Sequence, residues 1–438
     1  MKGINHEIWR IALPAIVTNV TIPLLGLLDT AIAGHLDASR GALYIGAVSV
    51  GAMMFNLLYW NFGFLRMGTS GMTAQAYGRR DPAMQAAILQ RATLLGLAIG
   101  VLIIVLQWPL QRVVLWLIGP SDDVRALALT YFYIGVWGAP PTLMMMSIKG
   151  WLLGMQDSRS PMVISIGVNV LNIVVSLIAV YGLGLGFAGI IVGTVAAQWA
   201  GLLYCWWLLR HKHRGLLALM SWRTALKADG LWRFFKVNGD IFVRSTLMMV
   251  LNLFFMAVGA RSGEMVLAVN ALIMQLFTLF SYFMDGIAMA GEALVGKYWG
   301  RRDGQRLHSC VRRLFAWAAV LTVLCATLYA AVPGSIFGLL TSDSRVVAAS
   351  LGYRWWCAAI PVAGMAAFVW DGVFIGLTRT RAMTLAVLVA VAAFFTLYAL
   401  LPRSMGNQAL WLAFVAYLAL RGLVQTVQYI LHPARSPR

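Results

Sequence analysis

Charge is scarce in this chain, and negative charge is the scarcest of all. Of 438 residues only 11 % are charged, and 15 Asp and Glu stand against 34 Lys and Arg, where soluble domains carry about 25 % charged residues. With 61 % hydrophobic residues and a mean hydropathy of +0.79, that shortage excludes an ordinary soluble protein. Cysteine is also rare. Cys205, Cys310, Cys325 and Cys357 lie in or beside apolar runs without CxxC or Cys/His spacing, so packing is expected of them rather than metal or redox chemistry. Hydrolase signatures of the HExxH and GxSxG kinds are missing, and Asp122-Asp123 lacks the spaced DDxxD of a magnesium-pyrophosphate site. His211 and His213 sit in a basic run with no acidic or cysteine partner. No enzyme, metal or organic cofactor is expected.

What the chain has instead is apolar length. A membrane-crossing helix needs about 20 mostly apolar residues, and twelve such runs fall near 11–35, 43–66, 88–110, 127–152, 162–183, 187–209, 237–259, 265–291, 314–334, 350–376, 382–402 and 407–431. The first of them follows Lys2, Glu7 and Arg10. It is too long for a signal-peptide core of about 7 to 15 residues and has no small-residue cleavage site after it, so it reads as a retained span. The net charge of +19 would raise nucleic-acid binding in a soluble protein. Here the basic residues segregate by loop. Lys2 and Arg10, Arg79 and Arg80, Arg159, the Arg210 to Lys236 connector, the Lys297 to Arg313 connector, Arg379 with Arg381, and the tail residues Arg435 and Arg438 share one side. The opposite connectors hold far fewer, among them Arg40, Arg125, Arg261, Arg345 and Arg403. By the positive-inside rule both termini are cytoplasmic, in the inner (cytoplasmic) membrane, and no nucleic-acid partner is expected.

The chain also repeats. GRRD at Gly78 to Asp81 recurs at Gly300 to Asp303, Trp9-Arg10 matches Trp232-Arg233, Pro140 matches Pro361, and Gly154 with Arg159 matches Gly376 with Arg381, all at an offset near 222. Two parallel six-span halves follow, 1–210 and 237–438, joined by a cytoplasmic connector at 211–236. Trp222, Leu226 and Trp232 among its basic residues fit either a helix lying on the lipid surface or a solvated tether.

Ionisable groups inside a bilayer cost several kcal/mol and mark function by default. Asp29 lies in the first span with Pro14 and Pro23 before it and no basic residue within two turns: a titratable group on a bendable helix. In the fifth and sixth spans, Asn169, Asn172, Ser176 and Thr194 offer neutral oxygens that either meet Asp29 or join helices. Asp240 and Arg244 stand i, i+4 on the seventh span and are placed to pair. Asp285 and Glu292 share a face of the eighth, and Asp371 in the tenth aligns through the repeat with Lys149 in the fourth, an opposite-charge pair placed to bridge the halves. Arg66 and Arg354, nearer span ends, are explained by snorkelling. Met144 to Met146 beside Pro140 and Pro141 form the best candidate pocket wall, with Met144, Met145 and Asn169 the residues placed to touch a substrate.

These stretches carry a resemblance. LLDTAIAGHL in the first span, FGFLRMGTSGMTAQAYGRRD at 62–81, NVLNIV in the fifth span and SYFMDGIAMAGEALVGKYWGRRD at 281–303 resemble the multidrug and toxic compound extrusion (MATE) transporters. DIFVRS at 240–245 and WDGVFIG at 370–376 resemble their DinF-like branch. The resemblance implies an all-helical antiporter of two six-helix lobes. It would act on drug-like small molecules, often cationic, as a monomer in the lipid bilayer, in exchange for H+ or Na+. It matches Asp29 to the family's first-span carboxylate and Asn172 and Thr194 to a cation-responsive site. Ser176 stands where several relatives carry a carboxylate or amide, which favours H+ over Na+. Asp371 resembles a tenth-span acid used for Na+ elsewhere, whose seventh-span partner Glu is not evident here. A flippase of lipid-linked precursors shares the architecture, but would need a strongly basic cavity.

Overall fold

The computed structural model describes residues 2–36, 39–225 and 227–433. Among them every regular element is helical and no strand forms. The chain divides into two compact units, Val17–Phe235 and Lys236–Arg438 with Met1–Ile16. The cut at 235/236 falls at the end of the 211–236 connector, whose residues cluster with the first unit. Residues 1–16 cluster with the second unit rather than with the rest of their own helix.

That helix, α1 (Lys2–His35), carries Pro14 and Pro23 inside it. The first unit continues with α2 (Gly41–Trp60), α3 (Phe64–Arg79), α4 (Pro82–Val105) and α5 (Gln107–Ile118). Then come α6 (Asp122–Gly135), α7 (Ala139–Gly154), α8 (Arg159–Leu177), α9 (Phe187–Lys212), and the single turns α10 (Arg214–Leu217) and α11 (Trp222–Ala225). The long α12 (Ala228–Arg261) leads into α13 (Glu264–Gly300), α14 (Gly304–Ala331), α15 (Pro333–Leu340) and α16 (Ser344–Leu351). The chain closes with α17 (Arg354–Gly376), α18 (Thr380–Leu400) and α19 (Asn407–Leu431).

Among the described residues, eleven stretches are long and apolar enough to cross a membrane. The twelfth crossing is α6 and α7, of 14 and 16 residues, joined through a 3-10 turn at Val136–Gly138. Neither piece reaches about 20 residues, and together they exceed it. Among the described residues of the connector, those between α9 and α12 form only the single turns α10 and α11. Buried Arg91 of α4 donates to the carbonyls of Thr224 and Ala225 at 2.8 and 2.7 Å, holding α11 against its own unit. Trp222 and Trp232 are exposed, while Leu226, Arg435 and Arg438 lie outside the described residues.

The internal repeat is visible in the backbone. Arg80 and Arg302 both take a left-handed conformation, φ 56° and 59°. The Asp that follows each one caps the next helix, Asp81 accepting from the Met84 amide and Asp303 from the Arg306 amide, both at 3.0 Å. Gln156 and Thr378 repeat the left-handed turn at the ends of α7 and α17. Glycine allows the same close crossing in both units. A Cβ on Gly150 would meet the Arg66 carbonyl oxygen at 2.3 Å, and one on Gly372 would meet that of Ala288 at 2.2 Å. One turn later Gly154 faces the Ser70 carbonyl and Gly376 that of Glu292. Each of these pairs is separated by 222 residues.

Candidate functional site

Asp29 projects from the half of α1 that belongs to the first unit, and it is only 6 % exposed. Its Oδ1 is buried and accepts no hydrogen bond. One turn further along the same helix, Ile32 and Ala33 pack with Tyr131, Val180, Phe187 and Ile190. Tyr131 lies within electrostatic reach of both Asp29 and Tyr59, and the Tyr59 hydroxyl is itself buried without a partner. Phe55 stacks on Tyr59 at 5.6 Å and on Phe132 at 5.6 Å, which fixes this aromatic wall. Sequence reasoning missed both tyrosines. With 14 Tyr and 20 Phe in the chain, no spacing singled them out.

Asn172, Ser176 and Thr194 come together between α8 and α9. Asn172 Nδ2 donates to Thr194 Oγ1 at 3.1 Å, and Ser176 Oγ donates to Asn172 Oδ1 at 2.9 Å. Both hydroxyls also reach the Ile190 carbonyl, at 3.1 and 3.2 Å. The trio thus satisfies itself, and among the described residues no hydrogen bond links it to Asp29. Asn169 is half-buried on the same helix. Met145 is buried, its sulfur lying against Gly201 of α9, whereas Met144 is half-buried beside Gly96. Lys149 is half-buried and forms no ion pair among the described residues; its ionisable neighbour is Cys205.

In the second unit the expected Asp240–Arg244 pair does not form. Asp240 accepts from Thr380 Oγ1 at 2.8 Å, and its carbonyl accepts from Thr384. Arg244 instead ion-pairs with Asp371 of α17. The same carboxylate accepts from Arg421 Nη2 at 3.0 Å and from Gln425 Nε2 at 2.8 Å, both on α19. Asp371 therefore finds three donors within its own unit, in place of the bridge to Lys149 expected from the repeat. Arg421 is 1 % exposed, donates to the Tyr417 hydroxyl at 3.3 Å and lies over the Phe368 ring. Half-buried Asp285 adds its charge within reach of Arg421. Glu292 is buried in the α13 segment that meets Gly376. Arg421 lies in the middle of the last span, where a buried arginine is itself a signal that sequence reasoning passed over, but its pairing with Asp371 could not be read from the sequence.

Comparison with known proteins accords with this geometry. The MatE family model matches residues 14–178 and 241–399, once per repeat. The DNA damage-inducible protein F of Escherichia coli (strain K12) is 38 % identical over 424 residues, covering 96 % of this chain and 90 % of the relative. Protein DETOXIFICATION 44, chloroplastic, of Arabidopsis thaliana is 24 % identical over 95 % of this chain and 81 % of its own. A MATE crystal structure in the bent conformation shares the fold with a TM-score of 0.87 at 18 % identity, over 98 % of this chain and 95 % of that one. The chain belongs to the MatE family, the multidrug and toxic compound extrusion transporters, and is a multi-pass membrane efflux protein rather than an enzyme.

Proposed function

We propose that the protein is a secondary active antiporter that exports drug-like, often cationic organic compounds in exchange for H+, with Asp29 as the coupling group. The observation that carries this reading is a buried carboxyl with an unsatisfied oxygen on a helix that contains two prolines. Each proline removes one helical hydrogen bond, so a change of charge at Asp29 acts on an element able to bend. A proton needs one acceptor atom. A metal cation needs a shell of oxygens, and those of Asn172, Ser176 and Thr194 are engaged with one another. In this reading a proton entering from outside neutralises Asp29, α1 changes its bend and the substrate leaves; deprotonation toward the cytoplasm restores binding. In the same reading H+ is the coupling ion and the monomer the working unit, and the loop charges support both termini on the cytoplasmic side of the inner membrane.

The test is efflux of a cationic dye from proteoliposomes under an imposed pH gradient or an imposed Na+ gradient, each alone. Wild-type protein should respond to the pH gradient, and Asp29→Asn should fall to the protein-free background while melting like wild type. Efflux by Asp29→Asn at the wild-type rate overturns the mechanism, and efflux driven by Na+ alone reassigns the ion.

A further inference from the structure

The sixth span is longer than a membrane requires. α9 has 26 residues, about 39 Å at about 1.5 Å per residue, against a hydrocarbon core of about 30 Å. Its last turns therefore stand at headgroup depth, where tryptophan and basic residues concentrate. Arg210 and Arg214 line a cavity of about 630 Å³ there, together with Trp206, Trp207, Leu217 and Met220. Across Trp207 a second cavity, of about 170 Å³, is lined by Arg159, Tyr204, His211 and Lys212 among others. Trp207 is 59 % exposed, and the His211 ring stacks on it with centroids 5.4 Å apart.

The acid of this region is already engaged. Asp157 accepts from the Ser160 amide at 3.0 Å, from the Ser160 hydroxyl at 2.6 Å and from Lys212 at 3.3 Å. Arg159, Arg210 and Arg214 form no ion pair among the described residues. A charge bias that only sets orientation has no need to gather two arginines at one cavity beside indole and aliphatic side chains. That combination matches an amphiphile, its anion held by arginines whose planar forks suit phosphate and its chain lying along Trp206, Leu217 and Met220. We propose that this paired groove binds an anionic phospholipid by its headgroup phosphate, anchoring the connector between the two halves to the bilayer.

The experiment uses the full chain in nanodiscs of mixed phosphatidylglycerol and phosphatidylcholine, with the lipids retained after detergent extraction counted by native mass spectrometry. Wild type should keep phosphatidylglycerol in preference to phosphatidylcholine. Arg210→Ala with Arg214→Ala should lower that preference about twenty-five-fold, at about fivefold per basic residue removed from the headgroup. Arg301→Ala with Arg312→Ala, which removes two charges elsewhere, should leave it unchanged. An equal fall in both double variants, or none in the first, overturns the site. Absence of a preference in wild type overturns it whatever the variants do. Displacement of phosphatidylglycerol by inorganic phosphate at equal concentration would identify the free ion as occupant and reject the lipid.

Discussion

Gly150 lets α7 close on the Arg66 carbonyl, and 222 residues later Gly372 lets α17 close on that of Ala288. On this shared frame the two units carry different contents. The residue before the glycine is Lys149 in one and Asp371 in the other. Gly186 and Gly406 adopt nearly the same backbone conformation before α9 and α19, which aligns Cys205 with Gln425 and Gly201 with Arg421. Where the second unit answers its acid with a guanidinium and an amide, the first offers its lysine a thiol and a glycine. The polar trio changes in the same direction. Asn172, Ser176 and Thr194 align with Phe394, Tyr398 and Phe414, and both of those phenylalanines belong to the buried cluster with Phe255 and Trp411. Duplication supplied one scaffold twice. One copy was filled with rings and a compensated charge, and the other kept small polar groups and the unpaired acid Asp29.

If that contrast is right, the largest effect on stability comes from Arg421→Ala. It strips a buried carboxylate of a partner and should cost about 3–5 kcal/mol, read as thermal unfolding of the purified protein. Asp29→Asn removes no partner and should unfold like wild type. Equal melting of the Arg421 variant and wild type would break the comparison. Next come Gly150→Ala and Gly372→Ala, whose new methyls meet backbone oxygens at 2.3 and 2.2 Å. Each should cost about 1–3 kcal/mol, and a large difference between them would mean that the frame is not shared. The smallest effect is expected at His213. It lies just past α9 with its ring edge-on to Trp151 at 4.9 Å, where the second unit has Val373 at the equivalent position. Burial holds its imidazole below the ordinary value, with Asp157 pulling the other way and Lys212 adding to the fall. As pH drops through about 6.5 the unfolded chain takes the proton first, so stability declines toward acid. His213→Phe should flatten melting temperature between about pH 7 and 5, and an unchanged slope would remove His213 from the account.

Much of the architecture was legible in the sequence because a membrane protein writes each span as one apolar run, and GRRD betrays the duplication. The broken crossing at 122–154 was legible too, since apolarity continues through a 3-10 turn that interrupts only the helix geometry. Long-range partnerships were not legible. Arg244 has an acid four residues before it on its own helix, yet pairs with one 127 residues away, because helix packing decides which side chains face each other. For the same reason Tyr59 and Tyr131 beside Asp29 could not be told from other aromatic residues, and the connector's Trp pattern gave no hint that Arg91 would hold it in short turns.

The shared first helix has a consequence for dissecting the molecule. Residues 1–16 sit with the second unit through Trp9 against Trp317, Glu7 against Lys297 and Tyr298, and Ile16 against Gly286. A gene cut at the connector would give a second fragment without its own first strip of packing and a first fragment with that strip left unburied. Reassembly from two separately made halves should therefore require the amino-terminal segment to be supplied with the second half, and a circular permutant that opens at the connector should keep both partnerships intact.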